Sequence, residues 1–294
     1  MIDTKELQEL EAGVGLALRT GDLSHLRLIG HGEMTMVLGW PADEPKCVCK
    51  RLPPFSSVGA ASAYEAVVSR YINELHRRGI RVVDTEVRWL DRTGGGVIGY
   101  LVQPALAPET LALDVLRRSA PSADHPLVRS VVEKVATATG DGVGVDAQLS
   151  NWAWMDDEPW QLDFSTPMMM DSAGQPALDM SPFLARLPAV IRPVVRRKMV
   201  TLMSRWLSPR GSMVDLAANV IKENLDGWIG PVLQRINEYV EKPVTYQEAL
   251  SVYEADRRMF PFLLALVRVN QLWQERIRRR PFDFLLPEST TYQK

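Results

Sequence analysis

Five polar residues stand where their chemistry needs explaining: Lys50, Glu65, Asp146, Asn151 and Asp163. Lys50 falls in the strand-like run Cys47 to Leu52, where Val48 and Lys50 point to one side and Cys47 and Cys49 to the other. A lysine there either snorkels to solvent at a sheet edge or meets an anion. Glu65, on the helical pattern that follows, is the natural carboxylate to orient it, with Glu74 near the helix end ranked second. Asp146-Ala-Gln-Leu-Ser-Asn151 and Trp160-Gln-Leu-Asp163-Phe-Ser165 set further oxygen ligands among apolar residues, on short strands or their loops. Magnesium takes carboxylate, amide and phosphate oxygens, so Asn151 and Asp163 make a suitable metal pair. Asp146 can accept a proton from a hydroxyl, or align it. Asp146 and Asn151 also have an ordinary structural use as turn caps.

A further element precedes these. Gly30-His-Gly32-Glu-Met-Thr35-Met-Val37 is a two-glycine turn between strand-like runs. Glycines let a backbone approach phosphates closely, and Val37 is placed to pack on a base. A plain hairpin has the same appearance.

These residues need a scaffold, and the apolar periodicity outlines one. A helix is expected over Asp3 to Thr20, capped by Asp3 or Thr4 and stopped by Gly21. Strands are expected near Leu26 to Ile29, Met34 to Leu38, Cys47 to Leu52, Val82 to Leu90 and Val97 to Gln103, with a helix over Ala60 to Arg78. A helix follows over Leu127 to Ala138, then short strands at Val143 to Asp146, Asn151 to Met155 and Trp160 to Phe164. Beyond Pro182 the pattern is helical; Thr245 and Glu248 fit a capping box, and Pro261 is expected to kink or divide the last long helix. The order predicts an α+β protein with a small β-rich lobe over residues 1–105, a connector near Pro104 to Pro108, and a larger helical lobe over 106–294.

Glycine-rich turn, strand lysine, helix glutamate, Asp-x-x-x-x-Asn and Asp-Phe-Ser, in that order, resemble the protein-kinase-like superfamily. Within it the sequence is more similar to the aminoglycoside phosphotransferase and choline-kinase branch than to Ser/Thr protein kinases. The motifs cover Leu26 to Phe164, and the helical remainder matches in general character. The resemblance implies a two-lobed kinase-like fold and an ATP- and magnesium-dependent phosphotransferase. Gly30, Gly32 and Thr35 would cover the phosphates, Val37 and Val48 would belong to the nucleotide site, and Lys50, oriented by Glu65, would contact phosphate. The Gln103 carbonyl and the Ala105 amide would meet the adenine edge. Asp146 would be the catalytic-loop aspartate, with Asn151 and Asp163 as metal ligands.

The sequence also departs from the family. Gly144 stands two positions before Asp146, where a histidine is usual, and its loss removes a structural support rather than a reacting group. Gln148 replaces the lysine of Ser/Thr protein kinases, Asp-Phe-Gly has become Asp-Phe-Ser, and no Ala-Pro-Glu follows, which argues against a eukaryotic-type protein kinase. The expected acceptor is a hydroxyl on a small molecule or peptide. A nucleotide- or partner-binding protein without turnover, and an AMP transferase, are the alternatives.

Bulk properties narrow the partners. The 294 residues are 46% hydrophobic and 24% charged with net charge −2, a globular profile with no electrostatic footprint for nucleic acid. The basic run Arg276, Arg278, Arg279 and Arg280 is expected to complete a helix C-terminus. No secretory signal pattern opens the sequence, and no apolar run is long enough to span a bilayer, so a cytoplasmic protein without a membrane partner is expected. The arginine excess over lysine is of the kind GC-rich bacterial genes encode. Cys47 and Cys49, two apart, suit neither a zinc site nor a disulfide. Met168 to Met170, Asp171, Asp179, Trp206 and Trp228 are candidates to line an acceptor site, though core packing and turn capping are their commoner uses.

Overall fold

A computed structural model describes residues 2–31, 35–279 and 282–284. The strand-rich part runs α1 (Thr4–Thr20), β1 (Arg27–His31), β2 (Met36–Trp40), β3 (Cys47–Arg51), α2 (Val58–Arg77), β4 (Arg81–Val82), β5 (Glu86–Asp91) and β6 (Val97–Pro104). Next come α3 (Ala112–Arg117), α4 (Pro126–Ala138), β7 (Trp152–Met155) and β8 (Glu158–Gln161). The chain then continues through α5 (Ser181–Leu184), α6 (Arg192–Trp206), α7 (Pro209–Lys222), α8 (Ile229–Ile236) and α9 (Tyr246–Leu272). The protein is α+β.

Five strands form an antiparallel sheet in the order β1-β2-β3-β6-β5, and β4, β8 and β7 form a small second sheet. Alternation of side chains gives the larger sheet two faces with different partners. Met36, Leu38, Cys47, Cys49, Tyr100 and Val102 pack under Leu7, Leu10 and Val14 of α1. Asp3 and Glu6 close a capping box at the start of that helix, and Gly21 ends it at φ 75°. On the opposite face Val37 is paired with Lys50, Val48 with Gln103, and Lys50 with Leu101. Cross-strand partners share a face, so these residues form one surface. A larger core runs from Tyr64, Val68, Tyr71 and Leu75 of α2 to α4, α7 and α8.

Three elements differ from expectation. The strand expected over Val82 to Leu90 is divided: β4 pairs in parallel with β8, whereas β5 joins the five-stranded sheet. Between them the Val83 amide donates to the Gln161 carbonyl at 3.0 Å, which carries the chain from one sheet to the other. Val143 to Asp146 is not a strand; Val143 makes only isolated bridges, to Gly140 and Met169. Helix α9 is not divided at Pro261 but continues through it, which leaves the kink as the other half of the expectation. That proline is exposed, so the carbonyl it leaves without a helical donor can be hydrated.

One charged residue lies inside the α1 interface. Arg51 follows Lys50 and so turns to the α1 face, where its side chain is 2% exposed. Its Nε and Nη2 donate to both Glu11 carboxylate oxygens at 2.8 Å, and Nη1 donates to the Asp283 carbonyl at 2.8 Å. The Tyr100 hydroxyl also donates to Glu11. Arg92 pairs with the Asp283 carboxylate at 2.6 Å, so α1, β3, β5 and residues 282–284 meet at one polar knot. Removing one partner of such a pair leaves an uncompensated interior charge. Glu11→Ala is expected to lower unfolding free energy by about 3 kcal/mol in urea titrations. A loss under about 1 kcal/mol would mark the pair as no stronger than a surface bridge.

Candidate functional site

Lys50 reaches from β3 to the segment after β8, where its Nζ meets Asp163 Oδ2 at 2.7 Å. The other Asp163 oxygen accepts from the Ser165 amide at 2.9 Å and the Ser165 hydroxyl at 2.8 Å. Burial by itself would raise the Asp163 pKa, but the charge and hydrogen bond of Lys50, joined by the Ser165 donors, hold it below the usual value. Asp163 therefore stays ionised.

Asp146 lies on the irregular segment between α4 and β7. Its Oδ1 accepts from the Gln148 amide at 3.0 Å, and its Oδ2 accepts from Asn151 Nδ2 at 2.7 Å. Asn151 ends a short 3-10 turn, Leu149–Asn151. It spends its amide nitrogen on Asp146, which leaves its carbonyl oxygen as a possible metal ligand. Burial pushes the Asp146 carboxyl up to about 7, against the Gln148 amide; the charges of Asp163 and Asp215 add to the rise, and Asn151 opposes it. Two neighbouring aspartates thus differ in protonation. Asp163 keeps its charge beside a cation, while Asp146 can hold a proton near neutral pH.

The supports of these loops were not evident from sequence. Tyr71 donates to the Gly144 carbonyl at 2.8 Å, and Tyr64 donates to the Ser165 carbonyl at 2.9 Å. Both project from the α2 stripe that reads as purely apolar; their spacing along one helix face was the available signal. Trp152 Nε1 and the buried Gln161 Nε2 donate to the Asp146 carbonyl at 2.9 and 3.2 Å. Gly144 is closely packed: a Cβ there would lie 2.7 Å from the Trp206 carbonyl. A histidine has no room at this position, and Tyr71, Trp152 and Gln161 hold the backbone instead. From α7, Asn219 Oδ1 accepts from the Leu149 amide at 2.9 Å. Four residues earlier on that helix, Asp215 pairs with Arg205 at 2.9 Å.

Other expected positions fare differently. Val37 and Val48 are partly exposed on the face of Lys50, and Gly30 is partly exposed on β1, with open space where a side chain would stand. Gly32 lies outside the described residues. Thr35 is buried just before β2 rather than exposed on the turn. Glu65 does not orient Lys50: it accepts from Trp89 Nε1 at 2.8 Å, and the lysine is paired with Asp163. The backbone groups of Gln103 and Ala105 expected at the adenine edge are engaged in the sheet. The Ala105 amide donates to the Lys46 carbonyl at 3.0 Å, extending the β3–β6 ladder, and by the alternation of that ladder the Gln103 backbone is bonded to Val48. The Gln103 side chain donates instead to Thr85 and to the Leu162 carbonyl. Asp171 and Asp179 accept from nearby amides in turns, and the buried Trp228 donates to the Leu116 carbonyl. Those three have structural duties.

Among the described residues, no group of three or more His, Cys, Asp or Glu is arranged to hold a metal. The donor set is two oxygens, one from Asp163 and one from Asn151. It fits a magnesium ion that completes its shell with phosphate and water, as that ion prefers.

Taken together, the described residues form an α+β protein in which a lysine–aspartate ion pair stands beside a part-buried Asp–Asn loop. The chain belongs to a family of unknown function, DUF6206, whose model matches residues 10–270. No curated protein matches it. Among solved structures, WaaP in complex with acyl carrier protein is similar over 83% of this chain and 88% of that chain, at 14% identity and a TM-score of 0.41, a likeness too low to carry functional weight.

In the absence of nucleotide and metal, the protonation of Asp146 has a measurable consequence. Its folded-state pKa lies above the unfolded value of 3.8, so the folded chain holds the extra proton between about pH 4 and about pH 7. Stability is therefore drawn down as pH rises through that window. Asp146→Asn removes the titration and is expected to gain stability relative to wild type across it, by about 1.4 kcal/mol per unit of pKa elevation. Parallel pH profiles of the two proteins would refute the elevated pKa.

Proposed function

We propose that this protein is a kinase-like phosphotransferase that uses ATP and magnesium to phosphorylate a hydroxyl. Its β-rich and helical parts would act as two lobes, divided after about residue 105, with the nucleotide between them. The observation that carries the proposal is two pairs drawn from three separate stretches of chain, Lys50–Asp163 and Asn151–Asp146, joined by the Leu162 amide donating to the Asn151 backbone carbonyl at 2.9 Å and by the charge of Asp163 acting on Asp146.

Each group has a role that its surroundings support. Val37 and Val48 offer an apolar surface to a base on the same sheet face as Lys50. Lys50 exchanges Asp163 for phosphate oxygens when nucleotide enters. Asp163 and the Asn151 carbonyl hold magnesium, whose chemistry when bound is to neutralise charge on the phosphates. Asp146 receives or aligns the proton of the acceptor hydroxyl, and the Gln148 and Asn151 hydrogen bonds fix its carboxylate for that task. Most of the rate would come from positioning and charge neutralisation. Glu65, Gln103 and Ala105 have no part in this scheme.

The test separates binding from chemistry. Wild type is expected to bind ATP more tightly with magnesium than without, and Asp163→Asn to lose that difference. Asp146→Asn is expected to retain magnesium-dependent binding while ATP turnover falls about 100-fold or more. Binding without any wild-type turnover would leave a nucleotide-binding module. Transfer of AMP, read as the mass added to product, would replace phosphoryl transfer. Absence of magnesium-dependent binding would overturn the site.

A further inference from the structure

Helix α9 has an inverted surface. In its first half the solvent side carries Gln247, Ser251 and Arg258. After Pro261 that same side becomes apolar. Phe262 is 63% exposed, Trp273 54% and Ile277 62%, with Val269 and Leu272 also exposed between them. At 3.6 residues per turn, Phe262, Val269 and Trp273 fall on one stripe. Val267 on the other side is buried, and Asn270 on the flank is too, so the stripe is an additional apolar face rather than the helix's core face. A π-helical turn, Trp273–Ile277, prolongs it.

The surroundings of the stripe are cationic. No Asp or Glu occurs from Arg257 to Gln274, or anywhere in α6 from Arg192 to Trp206. Arg196, Arg197 and Lys198 of α6 are exposed, as are Arg276, Arg278 and Arg279 beyond α9. Lys198 and Arg205 of α6 act on Asp256 of α9, which lies about 120° around that helix from Phe262, so the cations at the stripe itself are those of its own C-terminal end. Acidic residues on the same helix include Glu254, paired with Arg258, and Asp256, and Glu275 beyond it accepts from Gln271 at 3.0 Å.

We propose that the α9 stripe, with Arg276, Arg278 and Arg279 at its end, docks on the surface of an anionic lipid membrane. A helix with Phe, Leu and Trp on one side and arginine around it lies in the plane of the headgroups, its apolar side entering the acyl boundary and its cations meeting lipid phosphates. Two other occupants fit the charge less well. A second copy docked by the same stripe would bring like arginine clusters together. Residues 285–294 carry one Glu and one Lys, which gives them no net charge to answer the arginines. The surface also departs from the sequence expectation of no membrane partner. It involves no spanning segment, for no helix among the described residues is long and apolar enough to cross a bilayer. The inference stands independently of the phosphotransferase reading.

Co-sedimentation of the full chain with vesicles tests it. Binding is expected to vesicles of phosphatidylcholine mixed with phosphatidylglycerol, about tenfold or more tighter than to phosphatidylcholine alone, and to weaken with added salt. The F262E/W273E variant changes only exposed positions, so it should keep the wild-type circular dichroism and melting temperature while losing the binding. R276E/R278E should weaken attachment to anionic vesicles and leave the faint binding to neutral ones unchanged. Equal affinity for neutral and anionic vesicles, or unaltered binding by F262E/W273E, would overturn the proposal. So would a dimer in light scattering that F262E/W273E dissolves while wild type ignores vesicles.

Discussion

An ammonium and a carboxylate held away from bulk water must each find a partner, because leaving either alone costs several kcal/mol in a poorly hydrated setting. Lys50 and Asp163 answer each other at 2.7 Å, and much of the structure serves to make that meeting possible. The strand register that pairs Lys50 with Val37 and Leu101 turns it away from α1. The next residue, Arg51, turns the opposite way and is locked by Glu11, so the strand has little freedom to twist. On the other side of the pair, Ser165 and Tyr64 hold the segment that carries Asp163.

That ionised pair sets the electrostatics of its neighbour. Asp163 keeps its charge because a cation is at hand, and the negative charge contributes to the elevation of Asp146, which burial dominates. Burial raises both carboxyls, and the contrast between them arises from the Lys50 cation and the Ser165 donors, which lower Asp163. The histidine expected two places before Asp146 is unnecessary here, because tyrosine, tryptophan and glutamine side chains hold the backbone through its carbonyls.

Much of this was legible in the sequence, for identifiable reasons. Strong local signals carried well: the capped α1, the strands around Lys50, and the helix over Leu127 to Ala138 all appear close to where periodicity puts them. The division between β4 and β5 was not legible, since an unbroken β-like run says nothing about which sheet each end will join. Glu65 and Gln103 show a second limit. Order along the chain gives Glu65 Lys50 as its partner and leaves the Gln103 side chain without one, yet Trp89 and the Leu162 carbonyl are what lie beside them in space. Tyr64 and Tyr71 lie on the core stripe of α2 by spacing alone, and their hydroxyls are the clamps. The exposed stripe after Pro261 could not be seen as exposed, because a helix apolar on two sides looks in sequence like a fully buried one.

The central claim is that Lys50, Asp163, Asn151 and Asp146 form one nucleotide–metal site, and a crystal structure with magnesium and a non-hydrolysable ATP analogue tests it most directly. The expected result is magnesium on the Asp163 carboxylate and the Asn151 carbonyl, with Lys50 moved from Asp163 onto a phosphate oxygen. An analogue bound elsewhere, with the Lys50–Asp163 pair intact, would contradict it.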